Sequence, residues 1–285
     1  MQNNEDFPQL IHPKEIFDLS GKVIMIMGGA GKMGQAFAEA LSNAGATLYL
    51  VDLNEDFARK CAADISERSE GQLHGIGCDL GNKEEIEKCF AEVKRKEGCI
   101  NTLIYNVYAK PEGYYKKFDE YQLETWEKVM AANVTGAFLS CQEAVKSFKA
   151  DNIPGNIILT LSTYGLVSPD LRIYEGLESG SNIYGGADSL TTPLPYTVSK
   201  SGLLGMIKYL AGAYGKDNIR VNGLTPGGIF DGQEEVFYDA YTSRVPLGRM
   251  ATWTEYNGAI LFLASDASRY MTGSNLVVDG GWTVW

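Results

Sequence analysis

Short apolar runs separated by stretches of helical period recur from residue 22 to the C-terminus. Residues 22–27 place five apolar side chains in succession, the signature of a strand buried on both faces. Over 33–43, Ala36, Phe37, Ala40 and Leu41 share one face of a helix. The same reading predicts strands at 47–52, 72–78, 102–106, 156–161, 220–224 and 275–278. Helices are predicted at 54–68, 83–96, 121–149, from 196 onward and at 255–264, with Asn54 as an N-cap. The stretch 121–149 is expected to bend or break near 133–136. Strands alternating with helices of about 10–15 residues imply βαβ units. The expected fold is α/β: three layers, with a doubly wound parallel sheet of about seven strands and helices on both faces.

Two stretches break the period. Residues 166–195 hold Pro169, Gly176, Pro193 and Pro195 among several serines, and a loop this long inside a domain is usually functional. Residues 230–245 look mobile, and Phe230, Phe237 and Tyr238 suit a lid that closes over a ligand. Residues 1–18 read as an irregular leader with Pro8 and Pro13. No linker-like tract divides 19–285, so one domain is expected.

A formal net charge of −11 disfavours nucleic acid or an anionic membrane as partner, because either calls for a basic patch. The five cysteines lack a metal-ligand spacing, and His12 and His74 are the only histidines, so no metal is expected. Neither a signal peptide nor a run of about 18 apolar residues is present, which predicts a soluble, cytoplasmic protein.

Met27-Gly-Gly-Ala-Gly-Lys-Met-Gly34 joins the first predicted strand to the first helix. Such glycines permit a tight turn and close approach of backbone to a pyrophosphate, and a helix N-terminus behind them supplies free N–H groups. The next strand ends at Asp52, placed to accept hydrogen bonds from adenosine ribose hydroxyls and to repel a 2′-phosphate. A helix cap is the plainer reading of Asp52. In this context NAD is expected over NADP, with Lys32 the one feature that softens the preference.

Tyr196 and Lys200 are four positions apart at the start of a predicted helix, hence on one face. A cation beside a phenol favours the phenolate. Bringing a phenol from pKa ~10 to ~7 takes roughly 4 kcal/mol, and a tyrosine so tuned can exchange a proton with a hydroxyl near neutral pH. Alone, this spacing is often incidental.

Taken with several further motifs, the chain from 19 to 285 resembles the short-chain dehydrogenase/reductase family, with its Rossmann fold. Phe17-Asp-Leu-Ser-Gly-Lys-Val23 resembles the family's entry into the first strand. Cys78-Asp79-Leu80 resembles the turn whose Asp holds the adenine ring. Tyr105-Asn106-Val107-Tyr108 stands where the family has Asn-Asn-Ala-Gly. Asn133, Ser162, Tyr196 and Lys200 match the catalytic tetrad, and Arg220–Gly227 and Met271–Gly281 complete the pattern. The resemblance implies that Tyr196 is the general acid/base and that Ser162 holds the substrate oxygen. It implies that Lys200 lowers the Tyr196 pKa and binds the nicotinamide ribose, and that Asn133 holds a water in a proton relay. Read singly, Ser162 and Asn133 are a strand-end hydroxyl and a helix-bend amide. The cofactor would be bound by Gly28, Gly31, Lys32, Met33 and Gly34 in the loop, and by Asp52 and Leu53 after the second strand. Asp79, Leu80, Asn106, Val107 and Tyr108 would line it, with Tyr196, Lys200, Pro226, Gly227 and Ile229.

The sequence departs from the family at several of these positions. Lys32 stands where the usual loop has Gly, and Gly31 comes one place early, as in the epimerase branch. Tyr105, Val107 and Tyr108 replace smaller residues, so a bulkier pocket floor offering a phenol is expected. Asp231 stands where a Thr often touches the nicotinamide amide, leaving that contact to the Ile229 backbone. The interval from Ser162 to Tyr196 is far longer than usual. Its Tyr174, Glu175, Glu178, Asn182, Tyr184 and Asp188 suit a hydroxyl-rich ligand, unless the loop is an oligomer contact. Four acidic residues there (Asp170, Glu175, Glu178, Asp188) against Arg172 disfavour a bare sugar phosphate. The loop and the tail from Asp279 to Trp285 loosely resemble a bacterial branch of flagellin-modification or surface-sugar oxidoreductases.

The expected function is an NAD(H)-dependent oxidoreductase acting on a secondary alcohol or ketone of a sugar, polyol or nucleotide sugar. An epimerase or dehydratase using transient oxidation and a non-catalytic NAD-binding protein are the alternatives. The resemblance also implies a homo-oligomer, a tetramer, with Trp282 and Trp285 in a buried tail.

Overall fold

The computed structural model describes residues 12–177, 182–183 and 190–285. Pro8 of the leader, and Glu178, Tyr184 and Asp188 of the long loop, lie outside the described residues. After a single helical turn, α1 (Pro13–Ile16), strands and helices alternate as far as β4 (Thr102–Tyr105). The chain runs β1 (Val23–Met27), α2 (Lys32–Ser42), β2 (Thr47–Asp52), α3 (Glu55–Ser66), β3 (Leu73–Gly77), α4 (Lys83–Glu97) and β4. Next come α5 (Leu123–Met130), a π turn (Ala131–Thr135), α6 (Gly136–Asp151) and β5 (Gly155–Thr160). The rest is α7 (Leu194–Tyr214), β6 (Ile219–Pro226), α8 (Glu235–Thr242), α9 (Asn257–Ala264) and β7 (Asn275–Val278).

All seven strands are parallel, in the order β3-β2-β1-β4-β5-β6-β7. The strand order reverses between β1 and β4, and a crevice opens there at the carboxyl ends of the strands. Alternate residues of β1 feed opposite cores: Val23, Met25 and Met27 meet α4, α6 and α7, whereas Ile24 and Ile26 meet α2, α3 and α9. Burial on both faces explains why this strand is an unbroken apolar run. On α2 the buried alanines are Ala36 and Ala38, not Ala40.

A third, smaller core roofs the crevice. Tyr174 packs on Phe237 (ring centroids 5.4 Å apart), Phe237 on Tyr241 (5.9 Å), Tyr241 on Trp282 (4.4 Å) and Trp282 on Tyr164 (6.0 Å). This stack joins the long loop, α8 and the tail. The Asp170 carboxylate accepts from both Arg172 and Arg244, adding an ionic tie between the loop and the turn that follows α8. The expected lid therefore contains a helix whose Phe237 is already packed inward, while the Phe230 and Tyr238 rings meet edge-on (5.4 Å). The tail is also split: Trp282 is buried within its own chain and Trp285 is exposed. Among the described residues, no helix is long and apolar enough to cross a membrane.

Candidate active site

The turn after β1 is built by glycines. Gly28 has φ +74°, and a Cβ on Gly34 would lie 2.5 Å from the Gly28 carbonyl oxygen and 2.7 Å from that of Gly29. Gly34 thus lets α2 start directly against the turn. Unlike α3 and α4, capped by the Asn54 and Asn82 side chains, α2 begins at Gly31 with no side-chain cap. Its first-turn N–H groups face the crevice without an intrahelical partner. Such a helix N-terminus fits an anionic group.

The crevice is a cleft of about 920 Å³. Gly28, Gly31, Lys32, Met33, Asp52, Leu53, Asp79 and Leu80 line one end of the chain's path around it. Asn106, Val107, Tyr108, Ser162, Tyr196, Lys200, Pro226, Gly227 and Ile229 line it further on. Of the residues expected to act in catalysis or to bind the cofactor, Gly34 and Asn133 do not line the cleft; the first packs the loop and the second is fully buried behind it. Because Asn54 caps α3 through Phe57 N–H (2.9 Å), Asp52 is not the helix cap. Burial raises the Asp52 pKa, opposed by N–H bonds from Leu53, Ala30 and Asn54.

Ser162 follows β5, and its Oγ accepts from Tyr164 N–H (3.2 Å), which leaves its own O–H to donate elsewhere. Lys200 is almost wholly buried; its Nζ donates to the carbonyls of Thr160 (2.8 Å) and Val107 (3.1 Å). Burial pulls its pKa down to about 7. Asn133 Oδ1 accepts from Ala109 N–H (2.9 Å), and its Nδ2 donates to Ser199 Oγ (3.0 Å). Ser199 Oγ in turn donates to the Tyr196 carbonyl (2.9 Å). The π turn carrying Asn133 is the break expected near 133–136.

Several positions differ from expectation. Tyr105 is fully buried, does not line the cleft and offers no phenol there; of the three bulky replacements, Val107 and Tyr108 reach the cleft. The Tyr108 ring meets Tyr196 edge-on (5.8 Å), and Lys110 Nζ lies 4.8 Å over it. Lys110 has its pKa lowered to about 8, chiefly by burial. Lys32 Nζ pairs with Asp231 at 2.5 Å across the cleft. The Ile229 carbonyl accepts from Gln233 Nε2 (2.9 Å). Tyr114, Tyr115, Gln233, Met250 and Trp253 line the cleft and were not singled out. The tyrosine pair beside Gly113 was a usable signal; Trp253 gave none.

The description "short chain dehydrogenase" matches residues 22–174, and "Enoyl-(Acyl carrier protein) reductase" matches 181–283. The chain is 32% identical to D-arabinitol 2-dehydrogenase [ribulose-forming] of Candida tropicalis, over 94% of this chain and 95% of that one. It is 28% identical to NADP-dependent mannitol dehydrogenase of Alternaria alternata, over 97% and 98%. A short chain dehydrogenase from Leptospira borgpetersenii, solved with bound NAD+, superposes with a TM-score of 0.78 at 27% identity, over 97% and 98%. The looser likeness to flagellin-modification enzymes finds no support in these names. The chain belongs to the short-chain dehydrogenase family and is an oxidoreductase acting on CH–OH groups.

Proposed function

We propose that this enzyme oxidises a secondary hydroxyl of a polyol or sugar with NAD+ and reduces the matching ketone with NADH. The convergence of Ser162, Tyr196 and Lys200 on one cleft with the uncapped α2 N-terminus and Asp52 carries the reading. A bound nicotinamide supplies the two-electron acceptor or donor. The protein supplies orientation and proton traffic. Ser162 donates to the substrate oxygen and fixes it beside Tyr196, whose phenolate takes the hydroxyl proton as the C–H electron pair leaves carbon. Lys200 holds the cation that favours that phenolate. Thr163, Thr191, Thr192, Tyr115 and Tyr174 offer hydroxyls around the substrate end, which suits a neutral, hydroxyl-rich molecule. The names of the relatives support a polyol.

Asp52 favours NAD. Its carboxylate is free of capping duty and lines the cleft, while the Lys32 charge is held by Asp231. Fluorescence titration should show NADH bound more tightly than NADPH, and Asp52→Ala should shrink that preference by about tenfold, or 1.4 kcal/mol. Equal affinities in the wild type would refute NAD selection. A screen of linear polyols with both nucleotides then tests the reaction. Net NADH formation supports a dehydrogenase, and isomerised substrate without NADH would point to an epimerase.

Assembly and location follow the same reading. Exposed Val198 and Tyr209 on α7, with Trp285 at the tail, suit a homotetramer; light scattering at the monomer mass would overturn that. Five free cysteines suit a reducing cytoplasm.

A further inference from the structure

Tyr105 ends β4 with 0% of its surface exposed. A phenol so deeply buried needs a hydrogen-bond partner. It finds one across the sheet boundary: its hydroxyl donates to the carbonyl of Ala132. Ala132 lies within the π turn, where the chain is widened by one residue and Gly136 N–H reaches back to Ala131 O. Gly136 itself makes this approach feasible, because a Cβ there would collide with Tyr105 Oη and the Leu80 carbonyl. The turn is therefore pinned from below by a side chain belonging to another element.

The residue after Ala132 is Asn133. Its amide oxygen holds Ala109 N–H in the β4–α5 loop, and its amide nitrogen holds Ser199, one residue before Lys200. Lys200 donates to Val107 in that same loop, and Ser199 to the Tyr196 carbonyl. We infer that Tyr105 is a positioning residue: its hydroxyl fixes the π turn, and through Asn133 sets the mutual placement of the Val107–Ala109 loop and the Tyr196–Lys200 turn. It touches neither cleft nor substrate. The kinetic part of the inference rests on the proposed dehydrogenase activity; the structural part does not.

Tyr105→Phe removes the hydroxyl and keeps the ring in place. Amide exchange of Ala109 and of residues 131–136 should quicken by about tenfold, since the bond that holds the turn is gone. With a polyol substrate, kcat should fall by about tenfold while substrate KM and NADH affinity stay within about twofold. A residue that merely fills the core would lower the melting temperature and leave kcat and Ala109 exchange unchanged. That outcome overturns the inference. Ser199→Ala cuts the Asn133 clamp from its other side, so the double variant should lose less than the product of the two single losses. Multiplicative losses would place Tyr105 outside the clamp. If the wild type turns over no polyol with either nucleotide, the functional reading fails, and the exchange rates still decide for or against Tyr105.

Discussion

Tyr196→Phe should reduce kcat by about 10²–10⁴-fold, the range a general acid–base contributes, while NADH binding and melting temperature stay close to wild type. The ring contributes an edge contact to Tyr108 at 5.8 Å, and phenylalanine preserves it. The helix keeps its register, since Ser199 bonds the Tyr196 carbonyl and not its phenol. The substitution removes the phenol hydroxyl and keeps the ring. Steady-state assays in both directions check this, because a group that accepts a proton in oxidation must return it in reduction. A drop of less than about threefold would assign the proton to another group. Ser162 is the alternative: its Oγ accepts from Tyr164 N–H, and its own proton remains to be donated.

Much of the frame behind that expectation was legible. The ranges 47–52 and 275–278 coincide with β2 and β7; β2 reads as a plain apolar run because it is buried within the parallel sheet, whereas β7 is an edge strand and only partly buried. The glycine loop, Asp52 and the tyrosine–lysine spacing are local patterns, and the structure brings them to one cleft. What escaped depends on contacts distant in sequence. Lys32 and Asp231 are 199 positions apart, so nothing near Lys32 reveals that its charge is paired. The helix α8 packs its apolar side on the long loop and the tail instead of on the sheet, and its partners are invisible from 230–245 alone. Tyr105 reads as a pocket residue because the motif places it beside Asn106. Strand alternation at the end of β4 sends its side chain the other way, into the core beneath the π turn.

Lys200→Met should cost about 10²–10³-fold in kcat at pH 7, the size of a lost electrostatic contact aimed at the reacting groups. It should also move the pH dependence. On the proposed mechanism the protonated Lys200 favours the phenolate of Tyr196, so alcohol oxidation should rise at lower pH than an isolated phenol allows. Without that cation the phenol holds its proton longer, and the rising limb of oxidation should move to more alkaline pH. Stability should change in a separate, diagnostic way. Burial lowers the folded pKa of Lys200 to about 7, against roughly 10.4 in the unfolded chain. Between those values the unfolded state binds the extra proton, so wild-type stability climbs as pH rises through the window and is lost as pH falls back to 7. The full swing is at most about 5 kcal/mol. The carbonyls of Thr160 and Val107, which solvate the ammonium, reduce it. Methionine carries no proton, so denaturant unfolding of the variant from pH 7 to 10 should lack that component of the slope. Equal slopes in the two proteins would mean that the Lys200 ammonium stays charged throughout, stabilised by its two carbonyls more than burial penalises it. An unmoved oxidation limb would separately remove Lys200 from the tuning of Tyr196.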